Sequence, residues 1–191
     1  NFARDCDFGI FEMGMNHLNE IKPLSKLTRP HLAIVTNVGP AHIEFFKNEE
    51  EIALAKSEIF LGLETNGFAL INADNRHFDF LKNRLHALKI PKEISFGQRN
   101  NANYQIIEES LINASKSVVT VKLKNDKNIS YEISSSNPAV IFNSIIVVAA
   151  VDLLGNDLNA AIKIFSQIES PAGRGKIDEI NLNGKKIIVI D

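Results

Sequence analysis

HLAIVTNVGPAHIEFFKNEEEIALAKSEIF, residues 31–60, decides the fold. Its first eight residues, 31–38, form a nearly continuous apolar run. Such a run is expected of a strand buried on both faces, as strands of parallel sheets are. A loop containing Gly39 and Pro40 follows. From about Asn48 onward, Ile52, Lys56, Ile59, Phe60 and Leu63 recur at the spacing of a core-facing helical stripe. Glu50, Glu51, Ser57 and Glu58 are expected to point away from that stripe. Lys56 therefore places an ammonium in the middle of an apolar face.

The same alternation extends in both directions. A strand is predicted over 7–13 (DFGIFEM) and a short helix over 19–27, stopped near Pro30. The helix carrying Lys56 closes near Gly62 or Gly67. Residues 68–72 (FALIN) read as a second buried strand. Residues 75–88 read as a helix with Phe78, Leu81, Leu85 and Leu88 on one side, and 94–96 as a further strand. Buried strands alternating with helices predict the α/β class, a mostly parallel sheet flanked by helices. Near Asn103 the texture changes. Short β-rich segments at 104–107, 117–123 and 129–133 predict a small antiparallel β subsheet over about 103–134. Helices return at 138–154 and 158–168. The chain finishes with 176–182 and 185–190 on either side of Asn183-Gly184, a hairpin signal.

Composition narrows the function classes. The chain has 191 residues, 45% hydrophobic, with a formal net charge of −2. That size supports one compact domain, or one with a small appendage. Balanced charge and the lack of any Lys/Arg run argue against a nucleic-acid partner or an anionic membrane surface. The single cysteine, Cys6, leaves no internal disulfide and suits a reducing, cytoplasmic setting. The longest apolar run, 144–151, is too short to span a bilayer, so no membrane insertion is expected. The first residue is Asn1, and the last, Asp191, directly follows the apolar KKIIVI. We therefore expect a piece of a longer protein.

Polar residues gather at the ends of three predicted strands: 12–16 (EMGMN); Thr36, Asn37, His42 and Glu44 in TNVGPAHIE; Asn72 and Asp74 in NADN. Ligands of open parallel sheets bind beyond the carboxyl ends of the strands, so the three groups are expected to lie together. Glu12 reads equally as a solvated loop carboxylate or as a hard ligand for Mg²⁺. His42 reads as a surface histidine or as a group of the site. Lys56 has two readings as well. It snorkels, with its stem on apolar surface and its ammonium in water, or it is a buried lysine held neutral by desolvation. A neutral amine combines with CO₂ to give a carbamate, an anion on a long arm. In PAGRGKID, 171–178, glycines on either side of Arg174 leave its guanidinium room to meet a phosphate; a plain surface arginine is the other reading.

Taken as a set, FEMGMNHLNEIKPLSKLTRP, TNVGPAHIEFF, AKSEIF, GFALINADN and PAGRGKID resemble the central ATP-binding domain of the Mur ligase family over essentially the whole chain. The resemblance implies a P-loop NTPase-like domain, here truncated. The N-terminal UDP-binding domain, the phosphate loop and the C-terminal domain lie outside 1–191, so the piece alone is expected to be inactive. The E-M-G-M-N form points to the branch that joins D-Ala-D-Ala to UDP-MurNAc-tripeptide through an acyl phosphate, in peptidoglycan precursor synthesis. The resemblance implies ATP and Mg²⁺, a monomer, and a role for each candidate. Glu12 would hold Mg²⁺ on the ATP phosphates. His42 would bind or orient the second metal region. Lys56 would be carbamylated in support of that metal, or would contact phosphate unmodified. Asn37 would hold the substrate near the reacting carboxylate. Asn143 would lie near the adenine, Arg174 on the nucleotide, and Asp191 would open an acidic pair. Of the family's G-x-H-N-x-x-N, only Asn143 remains. The alternatives are another Mur-type or folylpolyglutamate-type amide ligase, or a non-catalytic nucleotide-binding domain.

Overall fold

Strand β1 (Leu32–Val35) lies parallel to β2 (Phe68–Asn72) in a computed structural model of the chain, with Leu32 opposite Phe68 and Val35 opposite Ile71. The structure describes residues 6–168 and, as backbone, 177–182 and 185–190. The chain forms two compact units that divide between Ile94 and Ser95.

In the first unit the apolar runs do what their composition demands. Ala33 and Val35 of β1 and Ala69, Leu70 and Ile71 of β2 are buried, so β2 is covered on both faces, as parallel strands are. A parallel pair needs a crossover, and helix α2 (Glu49–Ser57) provides it. The side chain of Asn48 caps α2 by accepting from Glu51 N–H, while the Glu51 carboxylate reaches back to Lys47 N–H. This is a variant of the capping box. Three glutamates in the first turn face the positive end of the helix dipole. The expected stripe holds: Ile52 and Phe60 are buried, with Ile59 and Leu63 partly buried against the same core. Helix α3 (Phe78–Ala87) adds Leu81 and Leu85.

Two expectations are corrected here. Residues 7–13 form no strand; Phe8, Ile10 and Phe11 are exposed. An extended segment becomes a strand only when a neighbour takes its N–H and C=O groups, and no strand lies beside this one among the described residues. Ser57 and Glu58 do not point away from the core; both are buried. The reason lies in helix α1 (Ile21–Thr28), whose N-cap residue, Glu20, makes no capping bond to it. The Glu58 carboxylate caps it instead, accepting from Asn19 N–H at 2.6 Å and Lys22 N–H at 3.0 Å. The 3-10 helix Glu58–Gly62 is tied to α1 a second time through buried Ser25. Its Oγ donates to Ile59 O at 2.5 Å and accepts from Gly62 N–H at 3.0 Å.

Strand β3 (Glu93–Gly97) starts in the first unit, where Ala69 N–H donates to Lys92 O, and ends in the second. There Phe96 and Gly97 pair in parallel with Tyr104 and Gln105 of β4 (Tyr104–Asn113). The chain then turns to an antiparallel meander of β4, β5 (Lys116–Lys122) and β6 (Asn128–Ile133). Helix α4 (Pro138–Leu153) starts with Pro138 behind an Asn137 cap and buries Ile141, Ile145 and Val148. Helix α5 (Leu158–Phe165) follows. Strands β7 (Ile177–Leu182) and β8 (Lys185–Ile190) pair antiparallel, with Leu182 opposite Lys185, as the hairpin signal predicts.

The close approach of α1 to the 3-10 helix gives a direct test. A Cβ at Gly62 would lie 2.1 Å from Ser25 O, a backbone atom that cannot swing aside. Gly62→Ala is expected to cost about 1–3 kcal/mol, as overpacking does, read as a lower urea midpoint with an unchanged m-value.

Candidate active site

At Val35 the chain leaves the β1 ladder, and the next three carbonyls lose their strand partners. Each is met by a side chain instead. Thr36 O accepts from Asn72 Nδ2 at 3.0 Å, Asn37 O from Lys56 Nζ at 2.8 Å, and Val38 O from Asn75 Nδ2 at 2.7 Å. Asn75 Nδ2 also donates to Asn37 Oδ1. The donors come from the end of β2, from α2 and from the turn before α3. That turn is braced from within. Asp74 N–H donates to Asn72 Oδ1 at 2.9 Å, and His77 N–H to Asn75 Oδ1 at 2.8 Å. These are the Asx turns that asparagines favour after a strand.

Asn37, Asn72, Asp74, Asn75, Glu49 and Arg76 are among the residues around a cleft of about 580 Å³. That volume lies in the range of small-ligand sites. The cleft sits beyond the carboxyl ends of β1 and β2, where open sheets place ligands. On one wall the Glu49 carboxylate holds both Arg76 Nη2 and His77 Nε2, the latter at 3.1 Å. Arg76 is the exposed member of this trio.

Lys56 falls between its two expected readings. Its ammonium is bonded to the Asn37 carbonyl. The side chain is half-buried, and desolvation pushes its pKa below the ordinary lysine value.

The expected convergence of three polar groups is met in part. Asn37 comes together with Asn72 and Asp74 on the cleft, with Lys56 against the Asn37 backbone. Glu12 and His42 are exposed and lie outside this lining. His42 adopts a left-handed conformation (φ 65°) at the start of the 3-10 helix Ile43–Phe45. Glu44 lies in a separate recess, with His17 and Phe45. Asn143 is exposed on α4 of the second unit. Arg174 and Asp191 lie outside the described residues.

Residue-by-residue reading missed Asn75, Glu49, Arg76 and His77. Asn75 had a signal, because it ends an N-A-D-N run directly after a buried strand. The Glu49 trio had none, since its members meet only when α2 and α3 are side by side.

For Mg²⁺ the donor chemistry is specific. Among the described residues no group of three or more His, Cys, Asp or Glu is placed to hold a metal ion. A Mg²⁺ here would take most of its oxygens from phosphate and water, as this ion usually does. An exposed carboxylate such as Glu12 suits that mode.

An α/β domain with a polar cleft at the ends of its parallel strands is the architecture of a ligand-binding domain. The chain belongs to the Mur ligase family, matching the Mur ligase middle domain over residues 1–151. It is 34% identical over 188 residues to UDP-N-acetylmuramoyl-tripeptide--D-alanyl-D-alanine ligase of Rickettsia prowazekii, covering 98% of this chain and 41% of the relative. It superposes on a crystal structure of MurF from Acinetobacter baumannii with a TM-score of 0.76 at 25% identity, covering 92% of this chain and 37% of that one. The MurF ligase of Thermotoga maritima, solved in complex with ADP, shares the fold with a TM-score of 0.72 at 20% identity over 86% of this chain and 36% of that one. The chain thus spans about two fifths of the length of the curated relative. No helix among the described residues is long and apolar enough to cross a membrane.

The state of Lys56 is open to direct measurement. With its pKa lowered in the folded state, unfolding takes up a proton between the folded value and the unfolded value near 10.4. Stability conferred through this group therefore rises with pH across that window. The Lys56 side chain, followed by ¹³C NMR against a Lys56→Met control, is expected to titrate below the ordinary lysine value.

Proposed function

We propose that this chain is the central domain of an ATP-dependent ligase that joins D-alanyl-D-alanine to UDP-MurNAc-tripeptide, a step in peptidoglycan precursor synthesis. The observation that carries the reading is the match, over 98% of this chain and 41% of the relative, to a ligase of that name in Rickettsia prowazekii. The Lys56–Asn37 contact at the rim of a cleft of suitable size supports it. The UDP-binding domain, the phosphate loop and the C-terminal domain would be contributed by the rest of a longer, monomeric, cytoplasmic protein.

In this reading the γ-phosphoryl group of ATP passes to the terminal carboxylate of the tripeptide and ADP leaves. The amine of D-Ala-D-Ala attacks the acyl phosphate. Inorganic phosphate departs, and the amine loses a proton as the amide forms. Bound Mg²⁺ would neutralise phosphate charge. Glu12 would hold Mg²⁺ on the ATP phosphates, and His42 would orient the second metal region. Lys56 acts there as a carbamate, or as an ammonium on phosphate. Its half-buried position suits both, because desolvation raises the fraction of neutral amine that CO₂ requires and strengthens any charge contact that forms. Asn37 would hold the substrate near the reacting carboxylate. Asn143 and Arg174 would serve the nucleotide, with Asp191 opening the acidic pair.

Phosphate release from ATP by the full-length protein tests the reading. Release is expected only when UDP-MurNAc-tripeptide, D-Ala-D-Ala and Mg²⁺ are all present. Lys56→Ala is expected to lower it by about 100-fold or more, the scale of losing one charge-stabilising group. Partial recovery by added short carboxylic acids would identify the carbamate. Release with a free amino acid in place of the dipeptide would assign the protein to a sibling ligase. No release with any pair would leave a non-catalytic domain.

A further inference from the structure

Among the described residues the carboxamide of Asn37 is held at one end only, and the polarity of that end can be traced through the structure. The His77 backbone N–H can only donate, and it donates to the side chain of Asn75 at 2.8 Å. That atom is therefore Oδ1, and the other end of the Asn75 amide is Nδ2, a donor with two protons. Nδ2 meets Val38 O at 2.7 Å, a carbonyl that can only accept. Its second partner is the Asn37 side chain, which must also present an acceptor, its Oδ1. Asn75 is buried, whereas Asn37 is exposed on the cleft. The Nδ2 group of Asn37 is thus the end left for a ligand.

From this we infer that Asn75 is a positioning residue: it fixes which end of the Asn37 carboxamide is offered, so that the cleft presents an N–H donor pair to a ligand with acceptor oxygens, a carboxylate or phosphoryl group. Assigning that group to the carboxylate end of UDP-MurNAc-tripeptide rests on the proposed ligase function; the polarity relay itself does not. Asparagine is required at position 75, because the site needs an acceptor for His77 N–H and a two-proton donor for Val38 O and Asn37 Oδ1. Aspartate supplies only acceptors. It would turn the Asn37 amide around, aiming Oδ1 at the anionic group.

The test uses the full-length protein with Asn75→Asp, Asn37→Ala and the double variant. Asn75→Asp is expected to raise KM for UDP-MurNAc-tripeptide by about 10-fold or more, the scale of one hydrogen bond to a charged group, with KM for D-Ala-D-Ala unchanged. In the Asn37→Ala background the same substitution is expected to add nothing, because its effect passes through Asn37. An equal rise in both KM values, or additive effects, overturns the inference. Selective ¹⁵N-asparagine labelling reads the relay without substrate. The Asn75 side-chain protons are expected to exchange slowly with solvent and those of Asn37 quickly, with the Asn37 protons becoming protected in Asn75→Asp. Protected Asn37 protons in the unsubstituted protein overturn the relay. A protein that shows no ligase turnover overturns the functional reading alone, and the exchange measurement still decides the relay.

Discussion

Three carbonyls that run off the end of a buried strand must find donors, and the first unit is organised around supplying them. Thr36, Asn37 and Val38 are met by Asn72, Lys56 and Asn75. Val38 O lies in a buried contact, where a carbonyl without a partner costs about 1–3 kcal/mol, so loss of the Asn75 donor carries that penalty. The three donors come from separate segments. The loop at the cleft is therefore defined only when β2, α2 and the turn before α3 are all in place. The capping of α1 by Glu58 follows the same logic at the other end of the α2 segment, where the chain brings a distant side chain to helix N–H groups that lack a local cap.

In the proposed function Lys56 links this scaffold to chemistry. An ammonium on an apolar helical face carries a desolvation cost, visible as its lowered pKa. The bond to Asn37 O offsets part of it. Lys56 thus combines a pKa below the ordinary lysine value with a bond to a backbone carbonyl. That combination suits the proposed roles of meeting phosphate or accepting CO₂. The adjoining Glu49 and Arg76 give the cleft a second, internally compensated charged wall.

Much of the fold was legible in the residues. FALIN became β2 with the expected bounds, and Asn48 proved to be the cap of the helix that carries Lys56. Both are local signals, a short apolar run and a capping side chain. The segment 7–13 had an equally apolar look and forms no strand, because pairing is a property of the neighbour and not of the segment. Glu58 was misplaced for a related reason: periodicity reports one apolar stripe of a helix, and Glu58 is buried on another side, against α1.

The sequence by itself determined the α/β class, the family and some of the candidate groups, Asn37, Asn72, Asp74 and Lys56 among them, because apolar periodicity, caps and motif spacing are written in the order of the residues. Only the tertiary structure decided how those groups work together. Lys56 and Asn37 are 19 positions apart, and Asn75 lies 38 beyond Asn37. Whether an amide offers its oxygen or its nitrogen depends on what stands opposite it, and that is known only when the elements have packed.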